Sequence, residues 1–324
     1  MQAKIHPSTP VNLRRLAAVL RRGGLVAIPT ETVYGLAAHA LDAKACRAIF
    51  QAKRRPANDP LIVHVLDLAH AEQLAEFNAT ARRLARRFWP GPLTLVLPKK
   101  NVVPGIVTSG GPTVAIRAPA HPLARRLLRL AKIPLAAPSA NLFGYISPTT
   151  AAHVREGLGR RIPDILDGGT CTVGVESTVL DVTNPSRPRI LRPGAVTAAQ
   201  LGQFLGVKVH GARSRGARAW QLAPGMLERH YSPRTPLVLQ HSPAKPPAGI
   251  AVVWLRQPRK SVAKNVFWLS KRGSLAEVAR NLYNVLRRAD AGRYRQIRVE
   301  PLPAEAGGLA TAINDRLRRA AAKR

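Results

Sequence analysis

Residues 23–38 read GGLVAIPTETVYGLAA, and the fold turns on how this stretch is parsed. LVAI, residues 25–28, is a short apolar run between a glycine pair and a proline, the pattern of a buried strand. Thr30, Glu31, Thr32 and Tyr34 follow in quick succession before Gly35. Three hydroxyls and a carboxylate at a strand end mark a place where α/β sheets hold ligands. The same residues also suit a plain turn whose hydroxyls satisfy backbone groups.

Outward from this stretch, strand and helix patterns alternate. Thr9-Pro10 caps a helix whose Leu13, Leu16, Ala17 and Leu20 share a face. Asp42 opens a second helix. LIVHV (61–65), LTLVL (93–97) and TVAIR (113–117) read as strands, with Pro90-Gly91-Pro92 breaking the chain before the second. Residues 121–131 read as a helix, PLAAPSAN returns to the sheet, Thr149 or Thr150 caps another helix, and VESTVLDV and RILR complete the set. The order is not strict, so the pattern predicts an α/β domain with a mixed sheet over residues 1–207. HGARSRGARAW (210–220) is rich in Gly and Arg and lacks periodicity, so 208–234 reads as a linker. Over 235–324, PLVLQ, IAVVWL, NVFWLS and IRV alternate with two helices, the first opened by Ser274 and Glu277 at capping-box spacing. This predicts a small doubly wound α/β module of Rossmann or flavodoxin type.

The 324 residues carry 51 Lys and Arg against 17 Asp and Glu, a formal charge of +34, which favours nucleic acid, nucleotides and other anions as partners. Diffuse solvated charge is the competing reading. Aromatic residues are 5%, too few to favour a base-stacking platform. No apolar run matches a signal peptide or a bilayer span. Two cysteines, Cys46 and Cys171, cannot build a disulfide framework or a four-cysteine zinc site, and fit a cytosolic protein.

Beside PTETVYG, five polar clusters fall at or near strand ends: KRRPANDP (53–60), Arg117, APSAN (137–141), VGVEST (173–178) and LRPGA (191–195). Each has a plainer reading. Lys53, Arg54 and Arg55 suit the solvated end of a helix, His64 a satisfied core histidine, Ser139 and Asn141 a turn. Arg117 resists this, because a guanidinium ending an apolar strand needs an anionic partner. Arg192 is similar but weaker. Hydroxyl, amide and cation recur, while paired acids, a Ser-His-Asp set, HExxH and a GxxxxGK[ST] loop are missing. Such a site positions charged reactants and neutralises phosphate, with no covalent nucleophile of its own.

PTETVYGL, the Lys-Arg loop before PLIVH, FWPGPLT, APSAN, SPT, VGVEST and LRPG, in this order, resemble the YrdC-like domain of L-threonylcarbamoyladenylate synthases. APGMLERHYSP followed by a small α/β domain is similar to the longer, two-domain branch. The resemblance implies condensation of L-threonine, bicarbonate or CO2, and ATP to threonylcarbamoyl-AMP and pyrophosphate, for threonylcarbamoyladenosine in tRNA. It implies Mg2+ on the phosphates, and tRNA or a modification transferase as partners. By matching positions it assigns Thr32, His64, Arg117, Ala137 and Ser177 to threonine. It assigns Arg55, Asp59, Thr113, Ser139, Ser147, Arg192 and Tyr231 to ATP, Tyr231 as part of a lid. Lys53 is expected to face phosphate and Asn141 to orient nucleotide or metal. Asp59 stands where an asparagine is usual, and Leu227-Glu228 replace a lysine-aromatic pair. Two other readings stand beside this one. A basic RNA-binding module accounts for the charge. A hydrogenase-maturation carbamoyltransferase contains a similar domain, but also zinc-finger cysteines and extra domains for which this chain has no room.

Overall fold

The computed structural model describes residues 2–211, 230–240, 247–258, 263–303 and 306–322. The expected LVAI strand is β2 (Val26–Ile28), and it turns back through residues 29–34 into antiparallel β3 (Gly35–His39), with Ile28 opposite Gly35. The other strands of the larger sheet are β1 (Lys4–His6), β4 (Ile62–His64), β5 (Leu93–Pro98), β6 (Thr113–Arg117), β7 (Leu135–Ala136), β8 (Asp164–Leu166), β9 (Thr178–Asp181), β10 (Arg189–Arg192) and β11 (His210–Gly211). Their order across the sheet is β1-β8-β2-β3-β7-β4-β6-β5-β9-β10-β11, with parallel and antiparallel neighbours mixed. The sequence pattern does not single out β1, β3 or β8. Strands this short carry no periodicity, and they exist because neighbouring strands supply backbone partners.

Helices α1 (Pro10–Arg21), α2 (Ala43–Lys53), α3 (Leu68–Glu72), α4 (Ala79–Phe88), α5 (Pro122–Ala131), α6 (Ala151–Leu158) and α7 (Ala198–Leu205) accompany this sheet. Thr9 caps α1 by accepting from the Asn12 amide, and Pro10 supplies a first residue that needs no partner for its nitrogen. Leu13, Leu16, Ala17 and Leu20 are buried, as their spacing predicts, in one cluster with Leu127, Leu128 and Ala131 of α5. Asp42 caps α2, which ends at Arg54 in the left-handed region and so turns the KRRPANDP segment back towards β4.

The linker expectation needs one correction. His210 and Gly211 form an edge strand parallel to β10, so backbone pairing carries the larger sheet into the predicted linker. The rest of HGARSRGARAW, and Leu227-Glu228, lie outside the described residues. Residues 230–240 are described and are held on both sides: the His230 amide donates to the Arg319 carbonyl, and the Ser232 amide to the Gly144 carbonyl.

The smaller sheet comprises β12 (Leu237–Leu239), β13 (Ile250–Arg256), β14 (Val266–Ser270) and β15 (Gln296–Val299), all parallel, in the order β12-β15-β13-β14. Helices α8 (Leu275–Ala291) and α9 (Gly308–Ala321) pack on it and on each other through one apolar cluster that includes Leu282, Leu286, Ile313 and Leu317. The parallel α/β module is therefore present. Its described helices share one face, whereas double winding has helices on both. Ser274 caps α8 as its spacing predicts, but the Glu277 carboxylate turns to the Ser270 hydroxyl and the Lys271 amide instead of closing the box. The helix pair lies between the small sheet and the larger domain. Arg280 donates to the Thr172 carbonyl, Tyr145 to Asp290, and Arg287 to the Ile146 carbonyl.

Candidate active site

Strand register gathers the polar clusters at one end of the larger sheet. His64 and Arg117 are direct partners at the ends of parallel β4 and β6. Ser139 bridges to Gly35 just past β7, and Ser177 immediately precedes β9. Arg192 ends β10, which runs antiparallel to β9 and so finishes where β9 begins. A cleft opens there, lined by polar and charged side chains from these strand ends. Its lining includes Thr32, His64, Arg117, Ala137 and Ser177, and also Arg55, Ser139, Arg192 and Tyr231.

Arg117 is almost wholly buried, and its partner is internal. Nη2 lies 2.5 Å from Glu31 Oε1 as an ion pair without hydrogen-bond alignment. Nη1 donates to Thr32 Oγ1 at 2.9 Å and Nε to the Gly91 carbonyl at 3.1 Å. Burial alone would raise the Glu31 pKa, but the guanidinium beside it holds it below the usual carboxylate value. Thr30 organises the loop, with its hydroxyl in contact with that of Thr32 and donating to the Val33 carbonyl. His64 is pushed by burial, then by Arg117, to about 3, so its imidazole is neutral at physiological pH. Its Nδ1 is buried without a hydrogen-bond partner on the chain, a polar atom left for a ligand.

The cation side is built on backbone carbonyls. Arg192 donates from Nε and Nη2 to the Ser177 carbonyl and from Nη2 to the Ser177 hydroxyl, which also contacts Thr94 Oγ1 at 2.8 Å. Arg55 donates to the carbonyls of Asp59 and Pro60 and pairs with the Asp59 carboxylate at 2.9 Å. Asp59 is fully buried and outside the lining, so its carboxylate neutralises Arg55 from behind.

Lys53 is also outside the lining. Its ammonium donates to the Ser139 and Asn141 carbonyls at 2.5 and 2.6 Å, stapling the end of α2 to the APSAN turn. Asn141 donates to the Leu142 and Tyr145 carbonyls. Ser147 donates to Glu176 at 2.6 Å, and Thr113 stands at the start of β6, with the length of the strand between it and Arg117. These four residues shape or flank the cleft without lining it.

Glu31 is noticed in the sequence only as the carboxylate of its loop, and Glu176 and His230, which line the cleft, are not singled out there at all. Glu176 accepts from Ser147, from Tyr283 of α8 and from Arg316 of α9. A signal for Arg316 is present in the sequence: it falls on the apolar stripe of α9, with Ile313, Leu317 and Ala320, where a charge must find a partner.

Residues 18–194 match a family model described as "Telomere recombination", and residues 196–322 match one described as "Threonylcarbamoyl-AMP synthase, C-terminal domain". A Pyrococcus abyssi protein named threonylcarbamoyl-AMP synthase is 42% identical over 96% of this chain and 94% of its own. A Bacillus subtilis protein of the same name is 40% identical over 96% of this chain and 93% of its own. The crystal structure of Pyrococcus abyssi Sua5 complexed with L-threonine superposes with a TM-score of 0.89 at 38% identity, covering 98% of both chains.

Proposed function

This chain belongs to the threonylcarbamoyl-AMP synthase family, and from that premise we infer that its cleft joins L-threonine, CO2 from bicarbonate and ATP into threonylcarbamoyl-AMP and pyrophosphate. The observation that carries this is that a single cleft is lined by residues suited to both substrates. Arg117, Thr32, His64 and Ser177 present a cation, hydroxyls and a neutral imidazole, suited to an amino acid's carboxylate, hydroxyl and amine. Arg55, Arg192 and Ser139 present cations and a hydroxyl suited to phosphates.

The chemistry needs no nucleophile from the protein. The threonine ammonium loses a proton, the amine attacks CO2, and the adduct gives up a second proton from its nitrogen to become a carbamate. The resulting carbamate oxygen attacks the α-phosphorus, and pyrophosphate leaves. The chain's residues align the two substrates, neutralise phosphate charge and exclude water from a mixed anhydride that hydrolyses easily. Tyr231 and His230, contributed by the linker, line the cleft and form the lid of this reading.

Among the described residues no group of three or more His, Cys, Asp or Glu is placed to hold a metal. Magnesium in this reading arrives with ATP, on the phosphates, as part of the substrate. The product carries the threonylcarbamoyl group towards an adenosine of tRNA, with tRNA or a transferase as the partner. No helix among the described residues is long and apolar enough to cross a membrane. Cys46 and Cys171 are buried and free, which supports a reducing, cytoplasmic setting. That buried arginines converge on one cleft favours an enzyme over an RNA-binding module.

Purified protein given ATP, L-threonine and bicarbonate is expected to release pyrophosphate in a threonine-dependent manner and to yield threonylcarbamoyl-AMP by mass. Salt-sensitive tRNA binding with no threonine-dependent turnover would overturn the synthase reading in favour of the RNA module.

A further inference from the structure

The cleft is not complete within the larger domain. Glu176, next to Ser177 in VGVEST, is 5% exposed and surrounded by donors from three separate elements. Its Oε1 accepts from Ser147 at 2.6 Å, and its Oε2 from Tyr283 Oη and Arg316 Nε, both at 2.8 Å. The last two come from α8 and α9 of the C-terminal domain. The same two side chains hold the lid aromatic. The Tyr231 ring stacks on Tyr283 with centroids 5.8 Å apart and planes at 27°, and the Arg316 guanidinium lies 5.2 Å from its centroid. Tyr231 itself has φ 63°, left-handed for a residue with a side chain, a conformation that persists only where the surroundings hold it.

We propose that Arg316 and Tyr283 are positioning residues of the active site, supplied by the C-terminal domain. Through Glu176 they fix the loop that carries Ser177 and the serine at 147. Through the Tyr231 ring they hold the lid segment against the cleft. A single buried carboxylate thus couples the phosphate side, the amino-acid side and the lid, and the small domain acts as the clamp. A guanidinium is required at position 316 because one flat group both donates to a carboxylate and faces an aromatic ring. This inference rests on the synthase reading.

The test uses the full-length chain with Arg316→Met, Arg316→Lys and Tyr283→Phe, reading threonine-dependent pyrophosphate release, pyrophosphate formed per threonylcarbamoyl-AMP recovered, threonine affinity and thermal melting. Arg316→Met is expected to lower kcat by about tenfold or more and to raise pyrophosphate per product, with threonine affinity changed by less than about threefold. Arg316→Lys restores part of the rate, because it returns the charge without the flat fork. Tyr283→Phe keeps the stacked ring and loses the hydroxyl, and is expected to cost several-fold in kcat with the same loss of coupling. A folded Arg316→Met protein with normal kcat and coupling overturns the proposal. Should that variant fail to fold, normal kcat and coupling in Tyr283→Phe overturns it equally. Failure of the underlying reading shows separately, as no threonine-dependent turnover in the unaltered chain.

Discussion

Arg117 shows how a single residue reports its task. At the end of an apolar strand it demanded an anion, and the structure supplies Glu31 from the PTETVYG loop. In the synthase reading a threonine carboxylate joins that pairing. Arg117→Ala is therefore expected to weaken threonine by about a hundredfold or more and ATP far less, read by equilibrium binding of each. It also leaves Glu31 buried without its cation, which costs on the order of 3–5 kcal/mol of stability, so a lowered melting temperature accompanies the binding loss. The hydroxyl-rich pocket predicts discrimination as well. Serine is expected to lose about 10–200-fold in kcat/KM for its missing methyl, and valine more, because it leaves the site's polar groups unpaired. The residues of this pocket were legible because strand-end hydroxyls and cations are unusual enough to notice. Glu176 was not, since its partner Arg316 lies 140 residues further along the chain.

At the scale of elements, two glycines set close approaches. Gly174 has φ 81°, and a Cβ there would lie 2.3 Å from the Arg280 backbone of α8. Gly194 of LRPG would drive a Cβ to 2.3 Å from the Thr178 amide at the start of β9. Gly174→Ala is expected to push the C-terminal domain off the VGVEST loop, lowering both the melting temperature and pyrophosphate release. An unchanged melting curve would contradict this. Tyr231→Ala removes the lid ring, and is expected to increase hydrolysis of the intermediate, measured as pyrophosphate formed in excess of threonylcarbamoyl-AMP. The long strands and capped helices were readable from periodicity and caps. The three-residue strands β1 and β8 were not, because their conformation is set by the neighbours they pair with.

For the whole molecule, acid stability follows from its buried groups. Burial pushes His64 and His230 to about 3 from an ordinary 6.5, so below pH about 6.5 the unfolded chain binds protons that the folded chain refuses. Stability is expected to fall as pH drops through that range. Burial alone would raise Glu176, but Arg316 and Arg192, with the Ser147 hydrogen bond, take it from 4.5 to about 2. Its folded value is depressed, so its contribution is full above 4.5 and lost as pH falls towards 2. Glu176→Gln is expected to flatten this lower limb of a pH-dependent denaturant titration while leaving the upper, histidine limb in place. By itself the sequence determined an α/β fold, two domains and the polar clusters at strand ends, because apolar period, turn residues and charge are local properties. Which clusters meet, that Lys53 and Asp59 brace the cleft from outside its lining, and that the small domain holds Glu176 of that lining were decided by tertiary structure alone. Those contacts depend on strand register and helix packing between residues far apart in the chain, and no local pattern encodes them.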